Sequence, residues 1–160
     1  MKLLFASDSF KGSLTSAQTA TLLAKAAKEV FGEIECGSVP VADGGEGTVE
    51  AVVAAKNGQW IEAEAHGPLM EPIIARYGRL DERRAVIEMA AASGLPLVPE
   101  EKRNPLLATT LGTGEMILDA LNRGCRKLFI AIGGSATMDG GMGCLKALGV
   151  QFFDEQGREL

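Results

Sequence analysis

Cysteine, histidine, long apolar runs and positive charge are all scarce in this sequence, and each scarcity removes a class of function. The three cysteines, Cys36, Cys125 and Cys144, are widely spaced, and no C-x-x-C occurs. Neither a disulfide framework nor a zinc site is therefore expected, and the three read as small buried hydrophobes. His66 is the single histidine. It falls in a turn-rich stretch between two expected strands and has no partner set for a Ser-His-Asp triad, so it reads as structural or solvated. The apolar run after Lys2 is too short for a signal sequence, and no run approaches membrane-spanning length. The chain reads as cytoplasmic, with no membrane partner. A net charge of −5 speaks against nucleic acid, whose phosphates require a basic surface. A small anion needs only a few local donors and is not excluded.

What the chain does have is glycine: twenty, against six prolines. That balance points to tight turns between short elements rather than to a Pro-rich linker. With 46% apolar residues there is ample material for a packed core. The order is strand, loop, helix, repeated. Residues 2–7 form a short apolar strand. Thr15 and Gln18 have capping-box spacing and open a helix to about Val30, with Leu22, Leu23, Ala26, Ala27 and Val30 on its sheet-facing side. A strand over 34–41 and a helix from Thr48 to Ala55 follow, the latter stopped by Gly58. Residues 60–65, 73–80 and 85–89 read as antiparallel strands of a different sheet. Parallel character returns with a helix over 114–122 preceded by Thr113, a strand over 128–132, a helix over 142–148 and a strand over 150–153. Residues 154–157 form a turn into a returning strand that is cut short at Leu160. A hairpin broken in mid-strand leaves unpaired backbone at an edge, so the whole protein is expected to continue.

Three loops share one design: each follows an apolar strand, carries small residues and an acid, and leads into a helix. Ligands of open α/β sheets bind at that position. Free amides and the helix dipole attract anions there, and glycines let backbone approach a phosphate. The acids fit if Mg²⁺ lies between them and the phosphate. The first loop offers Asp8, Ser9, Lys11 and Ser13, although a lone lysine before a helix also reads as solvated. The second offers Asp43 and Glu46 among Gly44, Gly45 and Gly47, and reads equally as a flexible turn. The third, residues 133–141, offers Gly133, Gly134, Ser135, Thr137 and Asp139, with plain tight turning as its competitor. A fourth candidate joins Arg103-Asn104-Pro105 to the stretch Thr109-Thr110-Leu111-Gly112-Thr113-Gly114-Glu115; here the bland alternative is a surface arginine and a Thr113 helix cap. Neither a Walker loop, nor a dinucleotide G-x-G-x-x-G after a strand, nor a protein-kinase H-R-D is present.

Taken in order, these blocks resemble the type-1 glycerate kinase family. The resemblance rests on Asp8-Ser9-Phe10-Lys11, Ala42-Asp43-Gly44-Gly45-Glu46-Gly47-Thr48, Ile87-Glu88-Met89-Ala90 and Arg103-Asn104-Pro105-Leu106. Gly112-Thr113-Gly114-Glu115, Gly133-Gly134-Ser135-Ala136-Thr137 and Asp139-Gly140-Gly141 complete it. The resemblance implies an α/β fold: Rossmann- or flavodoxin-like parallel units with a second, mixed-sheet α/β lobe. The lobes are expected at 1–60 and 61–160, with the boundary between 60 and 85. It also implies ATP and Mg²⁺ as cofactors and D-glycerate as substrate, phosphorylated by family members usually at the 2-hydroxyl. Members are more than twice as long as this chain. Homo-oligomerisation is left open.

Phosphoryl transfer asks a protein mostly for positioning and charge neutralisation. The expected arrangement has Gly133, Gly134 and Ser135 holding phosphate or the glycerate carboxylate, with Lys11 and Arg103 supplying positive charge. Ser9, Ser13, Gly44, Gly45, Asn104, Thr113 and Thr137 are further contacts. Asp43 and Glu46 are the expected metal ligands, and Asp43, Asp139 or Asp8 the expected base. Two other classes stay open: a non-catalytic anion- or nucleotide-binding lobe, and an oxidoreductase that lacks the usual fingerprint.

Overall fold

The computed structural model describes residues 1–10 and 13–160. It contains two sheets. Strands β1 (Lys2–Phe5) and β2 (Glu35–Ser38) pair in parallel, joined by helix α1 (Ser16–Phe31). The start of α1 is the expected capping box. Thr15 Oγ1 accepts from the Gln18 amide at 3.2 Å, and Gln18 Oε1 accepts from the Thr15 amide at 2.9 Å. Gly32, at φ 74°, closes it. The apolar stripe on α1 is only partly used: Ala27 is buried, whereas Leu22, Leu23 and Val30 are exposed. Two strands of four residues are too narrow to cover it.

The larger body begins with α2 (Thr48–Lys56) and continues through β3 (Gln59–His66), β4 (Pro72–Arg79) and β5 (Arg84–Glu88). The short α3 (Ala90–Ser93), then α4 (Leu111–Asn122), β6 (Lys127–Ala131) and α5 (Met142–Ala147) complete it. The sheet order is β3-β4-β5-β6, antiparallel at the first two junctions and parallel at the last. Alternation sets the faces. Ile61, Ala63 and Ala65 of β3 turn toward α4, while Trp60, Glu62 and Glu64 turn away. Strand β5 is apolar on both faces because both are covered. Ala85 and Ile87 join Tyr77, Met116 and Cys125 in the main core under α4, and Val86 packs with Val49 and Val53 of α2.

Small residues let α4 lie close. A Cβ at Gly112 would collide with the His66 carbonyl, and one at Gly114 with the Cys144 carbonyl. The His66 side chain and backbone grip Glu115 of α4, Nδ1 at 2.8 Å from Oε1 and the amide at 2.7 Å from Oε2, which makes this histidine structural. All three cysteines are free, but only Cys125 is fully buried.

The structure corrects three expectations. Helix α4 starts at Leu111 with Thr110 at its N-cap, so Thr113 lies inside the helix and does not cap it. Residues 150–153 form no strand; the hairpin around the 154–157 turn holds only the isolated bridge of Phe153 with Glu159, since no neighbouring strand offers a ladder. Helix α2 is closed by Asn57 in the left-handed conformation, φ 49°, one residue before Gly58. No helix among the described residues is long and apolar enough to cross a membrane.

Candidate functional site

The parallel strands β5 and β6 end side by side, with Glu88 opposite Ala131 in register. Three segments meet beyond those ends: the 42–47 loop that leads into α2, residues 89–95 after β5, and the 133–141 loop after β6. Backbone contacts lock them together. The Gly133 amide donates to the Gly44 carbonyl at 2.8 Å, and the Leu95 amide to the Gly134 carbonyl at 2.9 Å. The Ala136 amide donates to the Ser93 carbonyl, also at 2.9 Å. A Cβ at Gly133 would sit 2.6 Å from the Gly45 Cα, so only glycine permits this approach.

Two carboxylates organise the ends of the helices. Asp139 Oδ2 accepts from the Thr110 amide (2.9 Å), the Thr110 hydroxyl (2.7 Å) and the Gly143 amide (3.1 Å), while Oδ1 accepts from the Gly141 amide at 3.1 Å. One side chain thus ties the start of α4 to the start of α5. Burial pushes its carboxyl up, but these hydrogen bonds outweigh it and hold the group below the usual carboxylate range. A carboxylate so committed is a poor proton acceptor. Glu88 does the corresponding task at α2. Gly47 caps that helix without a side-chain bond, and the buried Glu88 accepts from the Val49 amide at 3.4 Å. Burial dominates here and pushes the Glu88 carboxyl above its ordinary value, despite the amides of the first turn. The α2 and α5 termini are thus already supplied with an anion from within the chain.

The open anion-accepting surface lies between the third and fourth candidate loops. A cavity of about 280 Å³ is lined by Arg103, Asn104 and Ala108 on one side and by Ser135, Ala136 and Thr137 on the other. Ser135 and Thr137 form a local turn, their hydroxyls 2.8 Å apart and the Thr137 amide 3.0 Å from Ser135 Oγ. Among the described residues the Gly134 and Ser135 amides donate to no acceptor, so they are available to a ligand. Arg103 Nε reaches only loosely to the Val98 carbonyl, at 3.4 Å. For a small carboxylate or a phosphate this pocket offers one guanidinium, an amide side chain, two hydroxyls and the Ser135 amide, set among the apolar Leu95, Val98, Pro105 and Met138.

The structure brings Gly44 and Gly45 against Gly133, and Arg103 and Asn104 around one cavity with Ser135 and Thr137, while Asp139 of the same loop is turned to the starts of α4 and α5. Asp43 and Glu46 stand exposed in the loop whose Gly44 and Gly45 touch Gly133, with Asp43 Oδ1 accepting from the Gly45 amide at 2.9 Å. Thr113 is buried instead, its hydroxyl 2.8 Å from that of Ser93, and lines no part of the cavity. Among the described residues Asp8 bonds only within its own loop, to the Ser9 amide and through its carbonyl to the Ser7 hydroxyl. Ser9 and Ser13 likewise make no hydrogen bond to the 42–47 or 133–141 loops. Lys11 lies outside the described residues. No three His, Cys, Asp or Glu side chains converge as a metal cage among the described residues. Mg²⁺ rarely needs one, since it takes one or two carboxylates and completes its shell with phosphate oxygens and water; Asp43 and Glu46 are compatible with that. The sequence places Glu88 in one of the resembling blocks and Thr110 in the fourth candidate stretch, but gives neither a role. The signal for Glu88 is a charge that follows the apolar run Ala85-Val86-Ile87 at the end of a strand.

Comparison with known proteins follows the same line. The glycerate kinase family model matches residues 3–160. A glycerate kinase of Bacillus subtilis (strain 168) is 53% identical over 100% of this chain and 42% of its own length. A glycerate 2-kinase of Escherichia coli (strain K12) is 51% identical with the same coverage. The crystal structure of a provisionally assigned glycerate kinase 2 from Salmonella typhimurium LT2 aligns with TM-score 0.80 and 46% identity, covering 100% of this chain and 43% of that one. The chain thus spans less than half the length of the relatives it matches.

Proposed function

The chain belongs to the glycerate kinase family, and from that premise we propose that it forms part of a cytoplasmic ATP-dependent kinase acting on D-glycerate. The observation that carries this reading is the cavity in which Arg103 and Asn104 face Ser135 and Thr137. In the proposed arrangement the glycerate carboxylate lies against Arg103, and the Gly134 and Ser135 amides steady a second anionic group. Bound Mg²⁺ would neutralise charge on the phosphates, with Asp43 and Glu46 as its protein ligands. If Glu46 alone holds the metal, Asp43, exposed in the 42–47 loop, is favoured as the proton acceptor over Asp139, whose oxygens are committed to four protein donors. Lys11 and Asp8 remain candidates from the first loop. The 2-hydroxyl is favoured because one relative is named a 2-kinase.

The β1-α1-β2 unit is proposed as the start of a Rossmann-like lobe, and the four-stranded body as the second lobe. Because α2 packs on β5, the division is drawn before the 42–47 loop, earlier than the sequence suggests. The experiment is calorimetric titration of the chain with D-glycerate and, separately, with Mg-ATP, beside a coupled ADP-release assay. Binding of D-glycerate supports the reading, with or without turnover. Binding of Mg-ATP alone would move the carboxylate site out of this chain. Failure to bind either would remove the cavity as a self-sufficient site.

A further inference from the structure

We propose that Glu88 is a positioning residue for the 42–47 loop: from the end of β5 its carboxylate holds the first turn of α2 and so sets that loop against Gly133. This rests on the reading of the loop as part of the phosphoryl-transfer site. Three observations join up. Glu88 is 8% exposed, and its Oε2 faces the Val49 amide at 3.4 Å. Helix α2 has no side-chain cap of its own, because Gly47 occupies the N-cap with φ 90°. The loop that enters this cap is bonded at its other end, Gly44 carbonyl to Gly133 amide, at 2.8 Å. Glu88 and Gly133 therefore hold the two ends of one short glycine-rich span, each from the end of a neighbouring parallel strand.

Shape alone does not require an acid here. A glutamine would reach equally far and accept the same bond, without the cost of burying a charge. Glu46 from the loop, Glu50 from α2 and Arg76 from β4 are the charged groups around it; Glu50 and Arg76 share with Glu88 a second cavity of about 280 Å³. The charge's attraction to the α2 amides, which are aligned with the helix dipole, offsets part of that cost. That pull fixes a loop whose glycines otherwise leave it free.

Amide hydrogen exchange on the 160-residue chain tests this without substrate, so its outcome is independent of whether the kinase reading survives. In Glu88→Ala the Val49 amide should lose protection about tenfold. The Gly133 amide, which does not touch Glu88, should lose about as much. Leu95 and Ala136, which anchor the other side of the 133–137 segment, should keep theirs. Glu88→Gln should recover Gly133 to within about threefold of the native chain, because it keeps an acceptor at the same reach. Loss at Val49 with Gly133 unchanged would overturn the proposal. So would an equal loss at Leu95 and Ala136, which would mark Glu88 as a general prop of the fold, or a Glu88→Gln chain no better than Glu88→Ala.

Discussion

Two corners of this molecule solve the same problem with opposite electrostatics. At the α4–α5 corner Asp139 gathers four donors, and its carboxyl is held below the ordinary range. At the α2 corner Glu88 meets the helix end through a loose 3.4 Å bond, and burial drives its carboxyl up. The number and closeness of donors decide the sign. Four hydrogen bonds repay desolvation at Asp139; at Glu88 the looser amides of the first turn do not, and the nearby Glu46 charge adds to the rise. The first corner is a strong tie, and the second is a strained one that sits beside the exposed acids of the 42–47 loop.

The largest effect should come from breaking the strong tie. Asp139→Ala leaves the Thr110, Gly141 and Gly143 donors without their acceptor and should cost about 3 kcal/mol in urea unfolding. A cost near zero would erase the contrast between the corners. Gly133→Ala comes next. Its new Cβ would press on Gly45 backbone at 2.6 Å, and overpacking of that kind costs about 2 kcal/mol. Unlike Asp139→Ala, it should separate the 42–47 and 133–141 loops, visible as faster exchange of the Val49 amide.

Acid titration sharpens the comparison further. A depressed carboxyl stabilises the fold above its unfolded value and loses that contribution as pH falls, so Asp139 should cost stability below about 3.8. A raised carboxyl does the reverse. The Glu88 contribution is fullest below its ordinary 4.5 and declines as pH rises from there through the folded value, then stays flat. Asp139→Asn should flatten the acid limb of the urea midpoint, and Glu88→Gln the decline above 4.5. If Glu88→Gln lowered stability at neutral pH by about 3 kcal/mol, as much as Asp139→Ala, the tie at α2 would be as strong as the other. The smallest effect belongs to a local cap. Thr15→Ala should cost about 1 kcal/mol, confined to α1, as a reference for a helix start that no distant carboxylate serves.

That local cap was also the easiest feature to read. Thr15 and Gln18 are three residues apart, so their reciprocal bonds follow from spacing alone. The Asp139–Thr110 tie spans 29 residues, and nothing in the run Thr109 to Thr113 says which threonine starts the helix; Thr110, bonded to Asp139, is the N-cap, and Thr113 is buried against Ser93. The three glycine-rich loops were recognisable as strand ends, and two of them do meet. What sequence could not give was that protein carboxylates already occupy the helix ends they lead to, which moves the open donors to Gly134, Ser135 and Arg103. The stripe on α1 was legible as a pattern, but the pattern does not state how wide a sheet will cover it.

The central claim is that the cavity between Arg103 and Ser135 receives a small carboxylate. The direct measurement is calorimetric titration of D-glycerate into the native chain and into Arg103→Ala. The account predicts that the native chain binds and that its Kd rises about tenfold or more in the variant, as expected for loss of a charge-assisted contact. An unchanged Kd, or no binding to the native chain, would contradict it.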